Sequence, residues 1–231
     1  MKAVFSKLDE PAMVQRYFAG RSGFFVEVGA NHPENLSQTH SLESAGWTGA
    51  LIEPLAENCD LLRTQRSARV FQYACGSRAQ HGTTAQISVA GEHGALSSLD
   101  VSRVHADKHK SFTDVRSVDV VTLDWLIEQT GRQKVDFVSI DVEGFEPEVI
   151  DGFTPARWFV DLVLVEDHAR SNATHRAMSA KGYKRVRRTG DNSWYVPAAL
   201  PFRVGMLGHW QLLRKYHLSR PVRLAKLALK R

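Results

Sequence analysis

Apolar and polar positions along the chain fall into short runs that read as strands alternating with helices. Phe24-Phe25-Val26-Glu27-Val28 is an apolar run closed by Gly29, the pattern of a strand buried on both faces. Residues 34–45 place Leu36, His40, Leu42 and Ala45 at helical spacing, with Gly46 as the stop. Ala50-Leu51-Ile52 predicts a second strand ending at Glu53-Pro54, and Leu55 to Gln65 a helix. Val70 to Cys75 predicts a third strand, closed by Gly76. Strand–helix–strand–helix–strand in this order is the signature of a parallel sheet covered on both faces.

The second half is more mixed. Thr84 to Val89 alternates as an outer strand does, and Gly91 to Thr113 reads as a long loop carrying Ser97, Ser98 and three His residues. Regularity returns with a strand at Val118–Val121, a helix at Leu123–Glu128, a strand at Val135–Asp141 and a helix at Glu146–Ile150. An apolar strand follows at Leu162–Val165 and a helix at Ala173–Ala180. Tyr183–Arg188 and Ser193–Val196 predict a terminal antiparallel hairpin. The expectation is one Rossmann-like α/β domain over residues 1–200 and an extension over 201–231.

Composition agrees with a globular chain: 231 residues, 43% hydrophobic and 24% charged. No run reaches the roughly 20 apolar residues that span a bilayer, and the start lacks the apolar stretch of a secretory signal. Cys59 and Cys75 form no CxxC pair, so free thiols and a cytoplasmic setting are expected. The net charge of +5 conceals an asymmetry: residues 181–231 carry 13 Lys and Arg against the single acid Asp191. A basic end on an acidic body suits an anionic partner, or is a solvated face.

Three places carry candidate chemistry. Glu27-Val28-Gly29-Ala30-Asn31 puts an acid and a small-residue turn at the end of the first strand, where a doubly wound sheet lets a ligand touch its backbone. The later glycine of a dinucleotide-binding GxGxxG is missing, with Pro33 and Glu34 in that region. That favours a cofactor without a pyrophosphate, S-adenosylmethionine (SAM), over a nicotinamide dinucleotide. Glu53, at the end of the second strand, suits the two ribose hydroxyls. Ile140-Asp141-Val142-Glu143-Gly144-Phe145-Glu146 sets two acids at the end of another core strand, beside the ligand crevice; neighbouring carboxylates can make a general base or hold a metal.

These segments together resemble the FkbM family of SAM-dependent methyltransferases. The resemblance rests on Phe25-Val26-Glu27-Val28-Gly29-Ala30-Asn31, on Leu51-Ile52-Glu53-Pro54, on Val121-Thr122-Leu123-Asp124-Trp125-Leu126, and on the block from Asp136 to Glu146, in family order. It implies the class I methyltransferase fold and O-methylation of a sugar, glycan or other secondary metabolite. Two positions depart from the family: Pro33, where a glycine is frequent, and Ser139, where many members have lysine. The expected cofactor-binding residues are Glu27, Gly29, Ala30, Asn31, Ser37, Glu53, Pro54, Ala74, Cys75 and Asp141. Candidates for the base that takes the acceptor's proton are Asp141, Glu143 and His168. A divalent metal held by Asp141, Glu143, Glu166 and His168 is an alternative, not the expected arrangement. Rival readings are a SAM- or sugar-binding module without catalysis, and a nucleic-acid methyltransferase using the basic end. Nucleic acid is not the expected partner, because no Asn/Asp-Pro-Pro-aromatic motif is present. The basic, Leu- and Trp-containing tail suits peripheral contact with a membrane, or packing on the sheet as a last helix with its basic residues solvated.

Overall fold

A computed structural model of the chain describes residues 10–35, 37–90, 97–99, 112–167, 172–202, 204 and 206–218. Its centre is a seven-stranded sheet. β1 (Phe24–Val28), β2 (Thr48–Ile52), β3 (Arg69–Phe71), β7 (Phe137–Ile140) and β8 (Leu162–Glu166) run parallel, and β9 (Tyr183–Thr189) and β10 (Asn192–Pro197) form the hairpin at one side. The order is β3-β2-β1-β7-β8-β10-β9, with β10 antiparallel to both neighbours. The order reverses at β1, so β1 and β7 part at their carboxyl ends into a crevice.

The unbroken apolar runs have a physical cause: the central strands are buried on both faces. Val26 and Val28 point to one face, where α4 (Leu123–Gln129), α5 (Glu146–Asp151) and α6 (Ala173–Ala180) cover them with Leu126, Ile127, Val149 and Met178. Phe25, Leu51 and Phe137 point to the other, against Val14 of α1 (Glu10–Tyr17), Leu42 of α2 (His40–Ser44) and Leu62 of α3 (Ala56–Gln65). Glu10 ties α1 to the hairpin by accepting hydrogen bonds from Thr189, Asn192 and Trp194.

Two expected elements differ. The segment Val70–Cys75 is not one strand. β3 ends at Phe71 in the main sheet, and Ala74–Cys75 (β4) joins a second sheet with β5 (Thr83–Ala90) and β6 (Phe112–Val121), in the order β4-β6-β5. This small sheet packs its own apolar cluster of Leu55, Ala74, Ile87, Val89, Val118 and Val120. The expected helix over 34–45 is only α2, because the chain before it is drawn elsewhere by Glu27, as described below. Of the expected 91–113 loop, Phe112 and Thr113 are strand and 97–99 are described; the remainder lies outside the described residues.

Candidate active site

A cleft of about 950 Å³, solvent at its mouth included, opens at the carboxyl ends of β1, β2, β4 and β7. Nine of the expected cofactor-binding residues line it: Glu27, Gly29, Ala30, Asn31, Glu53, Pro54, Ala74, Cys75 and Asp141; so does Glu143. Ser37 does not; it serves Glu27 instead. His168 lies outside the described residues.

The floor is backbone. Gly29 and Ala30 donate their N–H groups to the Ile52 carbonyl at 2.9 and 3.1 Å, and Asp141 N–H donates to Val28 at 3.0 Å. Gly29 has φ +81°, and a Cβ there would lie 1.8 Å from the Asp141 carbonyl oxygen. Only glycine lets the two strand ends meet this closely. Asn31 and Glu143 also take left-handed φ, +42° and +48°, an uncommon and costly conformation for residues with a side chain.

Two buried carboxylates stand at the ends of neighbouring strands. Glu27 accepts from the Gln38 N–H (2.8 Å), the Ser37 hydroxyl (2.9 Å) and the Thr39 hydroxyl. Burial pushes its pKa up, against the pull of those bonds and of Arg66. Arg66, itself buried, bonds Ser37, Thr39 and the Pro33 carbonyl at 3.2, 2.9 and 2.9 Å, and pairs with Glu43 at 2.6 Å. Glu27 and Arg66 together hold Pro33 and residues 37–39 over the end of β1. Glu53 accepts from Asn31 N–H (3.0 Å), Leu55 N–H (2.9 Å) and Asn58 Nδ2 (3.3 Å). Burial raises its pKa to about 7 despite these donors.

Across the cleft Asp141 and Glu143 line the wall, and Glu146 and Glu166 lie close enough for their charges to interact. Glu166, ending β8, hydrogen-bonds Asp141, and its pKa is driven far upward by burial and then by the Asp141, Glu143 and Glu146 charges. Glu146 is buried, takes the Gly144 N–H at 2.9 Å, and is raised to about 7, first by burial. Among the described residues no group of three His, Cys, Asp or Glu side chains is placed to hold a metal. Both cysteines are free and buried, and burial pushes the Cys59 thiol up to about 12.

Sequence reasoning missed the apolar side of the cleft, formed by Tyr73, Ile87, Leu99, Val142 and Phe145. It also missed Asn58 and Arg66, which hold the two buried glutamates. Ile87 and Leu99 reach the cleft only because the second sheet leans over it, and no local signal marks that. Ser97 and Ser98 do reach it. Ser98 pairs with Ser88 through two backbone bonds and donates its hydroxyl to the Glu143 carbonyl at 2.9 Å, which braces the left-handed turn at Glu143.

A 3-2-1-4-5-7-6 strand order with a cleft at the switch point is that of a class I methyltransferase sheet, here formed by β3-β2-β1-β7-β8-β10-β9. Residues 27–185 match the Methyltransferase FkbM domain, and the chain belongs to that family. No curated protein matches it. Among solved structures it is similar to methyltransferase FkbM from Methylobacillus flagellatus KT, at 16% identity and a TM-score of 0.47, over 76% of this chain and 43% of that one. It is also similar to monomeric WbdD, at 12% identity and a TM-score of 0.43, over 80% of this chain and 38% of that one. The chain thus spans less than half the length of either protein.

Proposed function

We propose that the chain is a SAM-dependent O-methyltransferase acting on a hydroxyl of a sugar, glycan or other secondary metabolite. The observation that carries the reading is Glu53: a buried carboxylate at the end of β2, facing a cleft whose floor at Gly29–Ala30 has no side-chain bulk. The chemistry of the residues present fits SAM. Glu53 offers acceptor capacity beyond its three donors for ribose hydroxyls. Tyr73, Ile87, Pro54 and Leu99 offer an apolar slot for a purine, and the Gly29–Asn31 backbone leaves room for an amino-acid end.

Bound there, SAM would supply an electrophilic methyl on sulfonium, already a good leaving group, so alignment does most of the work. The chain's own residues then have two tasks. Glu27 and Arg66 hold Pro33 and residues 37–39 and so shape the pocket. Asp141 and Glu143 stand where an acceptor hydroxyl can lose its proton. Glu166, kept protonated, donates to Asp141 and fixes its orientation.

Calorimetry with SAM tests the first half: Glu53→Ala is expected to weaken binding by about 1–3 kcal/mol, and unchanged affinity overturns the ribose assignment. Transfer of labelled methyl to a panel of sugars and nucleotide-sugars tests the second. On an accepted substrate, Glu143→Gln is expected to lower turnover by roughly 10²-fold or more; full activity places the base elsewhere.

A further inference from the structure

Beyond β10 the chain climbs the open edge of the sheet and is pinned at two points. Phe202 stacks on Tyr17 with ring centroids 6.4 Å apart. At the other end Tyr216 is buried: its hydroxyl meets Arg188, Ser193 and Asp167 at 2.5, 2.6 and 3.1 Å, and the Arg185 guanidinium lies 3.2 Å from its ring centroid. Between them α7 (Met206–Leu213) rests on β9 and covers that edge strand.

Held in this way, the segment turns large apolar side chains to solvent. Met206 is 90% exposed, Trp210 56%, Leu213 45% and, one turn beyond α7, Leu218 56%. Met206, Trp210 and Leu213 are spaced i, i+4, i+7 and form one stripe on the helix. Soluble surfaces scatter such residues singly; a stripe of them marks an interaction face. The stretch of chain that carries it is basic. Residues 201–231 hold eight Lys and Arg and no Asp or Glu, Arg214 being exposed directly beside Leu213.

We propose that this face docks the protein on an anionic lipid bilayer, with Met206, Trp210, Leu213 and Leu218 entering the headgroup–acyl boundary and the net positive charge of the segment, Arg214 first, drawing it to the phosphates. The combination selects the occupant. A protein partner would use the apolar stripe without requiring a stretch of chain with eight cations and no acid, and a nucleic acid would use the cations but leave Met206, Leu213 and Leu218 in water. An apolar Met/Trp/Leu stripe on a helix within a basic stretch of chain meets both demands at a charged interface. Among the described residues no helix is long and apolar enough to cross the bilayer, so the contact is peripheral. Tyr216 is anchored at Asp167, the residue after β8, so the docking segment is fixed at the end of the parallel strands at which the cleft opens. This inference does not depend on methyl transfer.

The test is sedimentation of the full chain with vesicles of pure phosphatidylcholine and with vesicles enriched in phosphatidylglycerol, at low and high salt. The protein should pellet with the anionic vesicles at low salt, and less at high salt as the charges are screened. The triple variant Met206→Ser/Trp210→Ser/Leu213→Ser should partition at least about ten-fold less, while a cooperative melting curve shows that it is still folded. Absence of pelleting by the wild type at low salt, equal pelleting with both lipids, or a triple variant that pellets like the wild type overturns the proposal. So does light scattering that shows a dimer in solution that the triple variant dissolves, since the stripe would then be a contact between two copies.

Discussion

On the β1–β2 side of the cleft, Glu27 and Glu53 are each ringed by donors from the chain, whereas on the β7–β8 side Asp141, Glu143, Glu146 and Glu166 are close enough for their charges to act on one another. Both sides hold buried carboxylates, Glu27 and Glu53 on one and Glu146 on the other, yet the two sides serve different ends. Surrounded by N–H and O–H groups, a carboxylate becomes a fixed point that shapes the chain around it. Buried beside other carboxylates, Glu146 and Glu166 have their pKa pushed up, first by burial and further by those charges. The first arrangement builds a binding pocket, and the second stores protons next to it.

The two sides touch at Gly29, and the largest effect is expected there. In Gly29→Ala the new methyl overlaps the Asp141 carbonyl and the residue must keep a left-handed φ. A loss of about 4 kcal/mol or more is expected, read as a lower urea midpoint. Next comes the donor-rich side. Glu27→Ala strands the Thr39 and Ser37 hydroxyls and leaves Arg66 with Glu43 alone among the acids near it. About 3 kcal/mol of stability should go, and SAM binding with it, because residues 37–39 lose their anchor.

The acid-rich side should respond in the other direction. Glu146 has an ordinary value of 4.5 when unfolded and about 7 when folded. Between those values the native chain keeps its proton while the unfolded chain releases it. The stability it lends is therefore fully present below about pH 4.5 and is lost as pH rises to about 7. Glu146→Gln, neutral throughout, can still accept from Gly144. It is expected to exceed the wild type by about 2–3 kcal/mol at pH 8, with the difference gone at pH 4. A pH series of denaturation curves reads this.

The smallest effect sharpens the contrast within one residue. Glu53 also titrates near 7, but ribose hydroxyls donating to it would favour its ionised form. SAM affinity should then rise with pH through about 7. In Glu53→Gln it should be flat and weaker by about 1 kcal/mol. A flat wild-type profile in calorimetry would mean that the ligand does not engage this carboxylate.

The strand ends were readable for a local reason. A strand buried on both faces must be apolar along its length, so Phe24–Val28, Ala50–Ile52 and Leu162–Val165 announce themselves, and an acid closing such a run stands at the crevice by topology. The segment 33–39 was unreadable for the converse reason. Its spacing suits a helix, but the Glu27 carboxylate and Arg66, 27 residues beyond Thr39 in the chain, offer its hydroxyls and amides better partners. Val70–Cys75 likewise looks continuous because period and apolarity do not say which strand is the neighbour; the chain changes sheets at Gln72-Tyr73.

The sequence by itself determined the alternation of strands and helices, the parallel sheet with its terminal hairpin, and the acids at three strand ends, because each follows from local periodicity and from where a run of apolar residues stops. Only the tertiary structure decided which acids would be ringed by donors and which would face other acids, and which apolar residues of the C-terminal segment would be left in water. Those outcomes depend on groups brought together from distant parts of the chain, Arg66 onto Thr39, Glu166 onto Asp141, Tyr216 onto Arg188, and a partner chosen by folding leaves no mark on the spacing of the residues it finds.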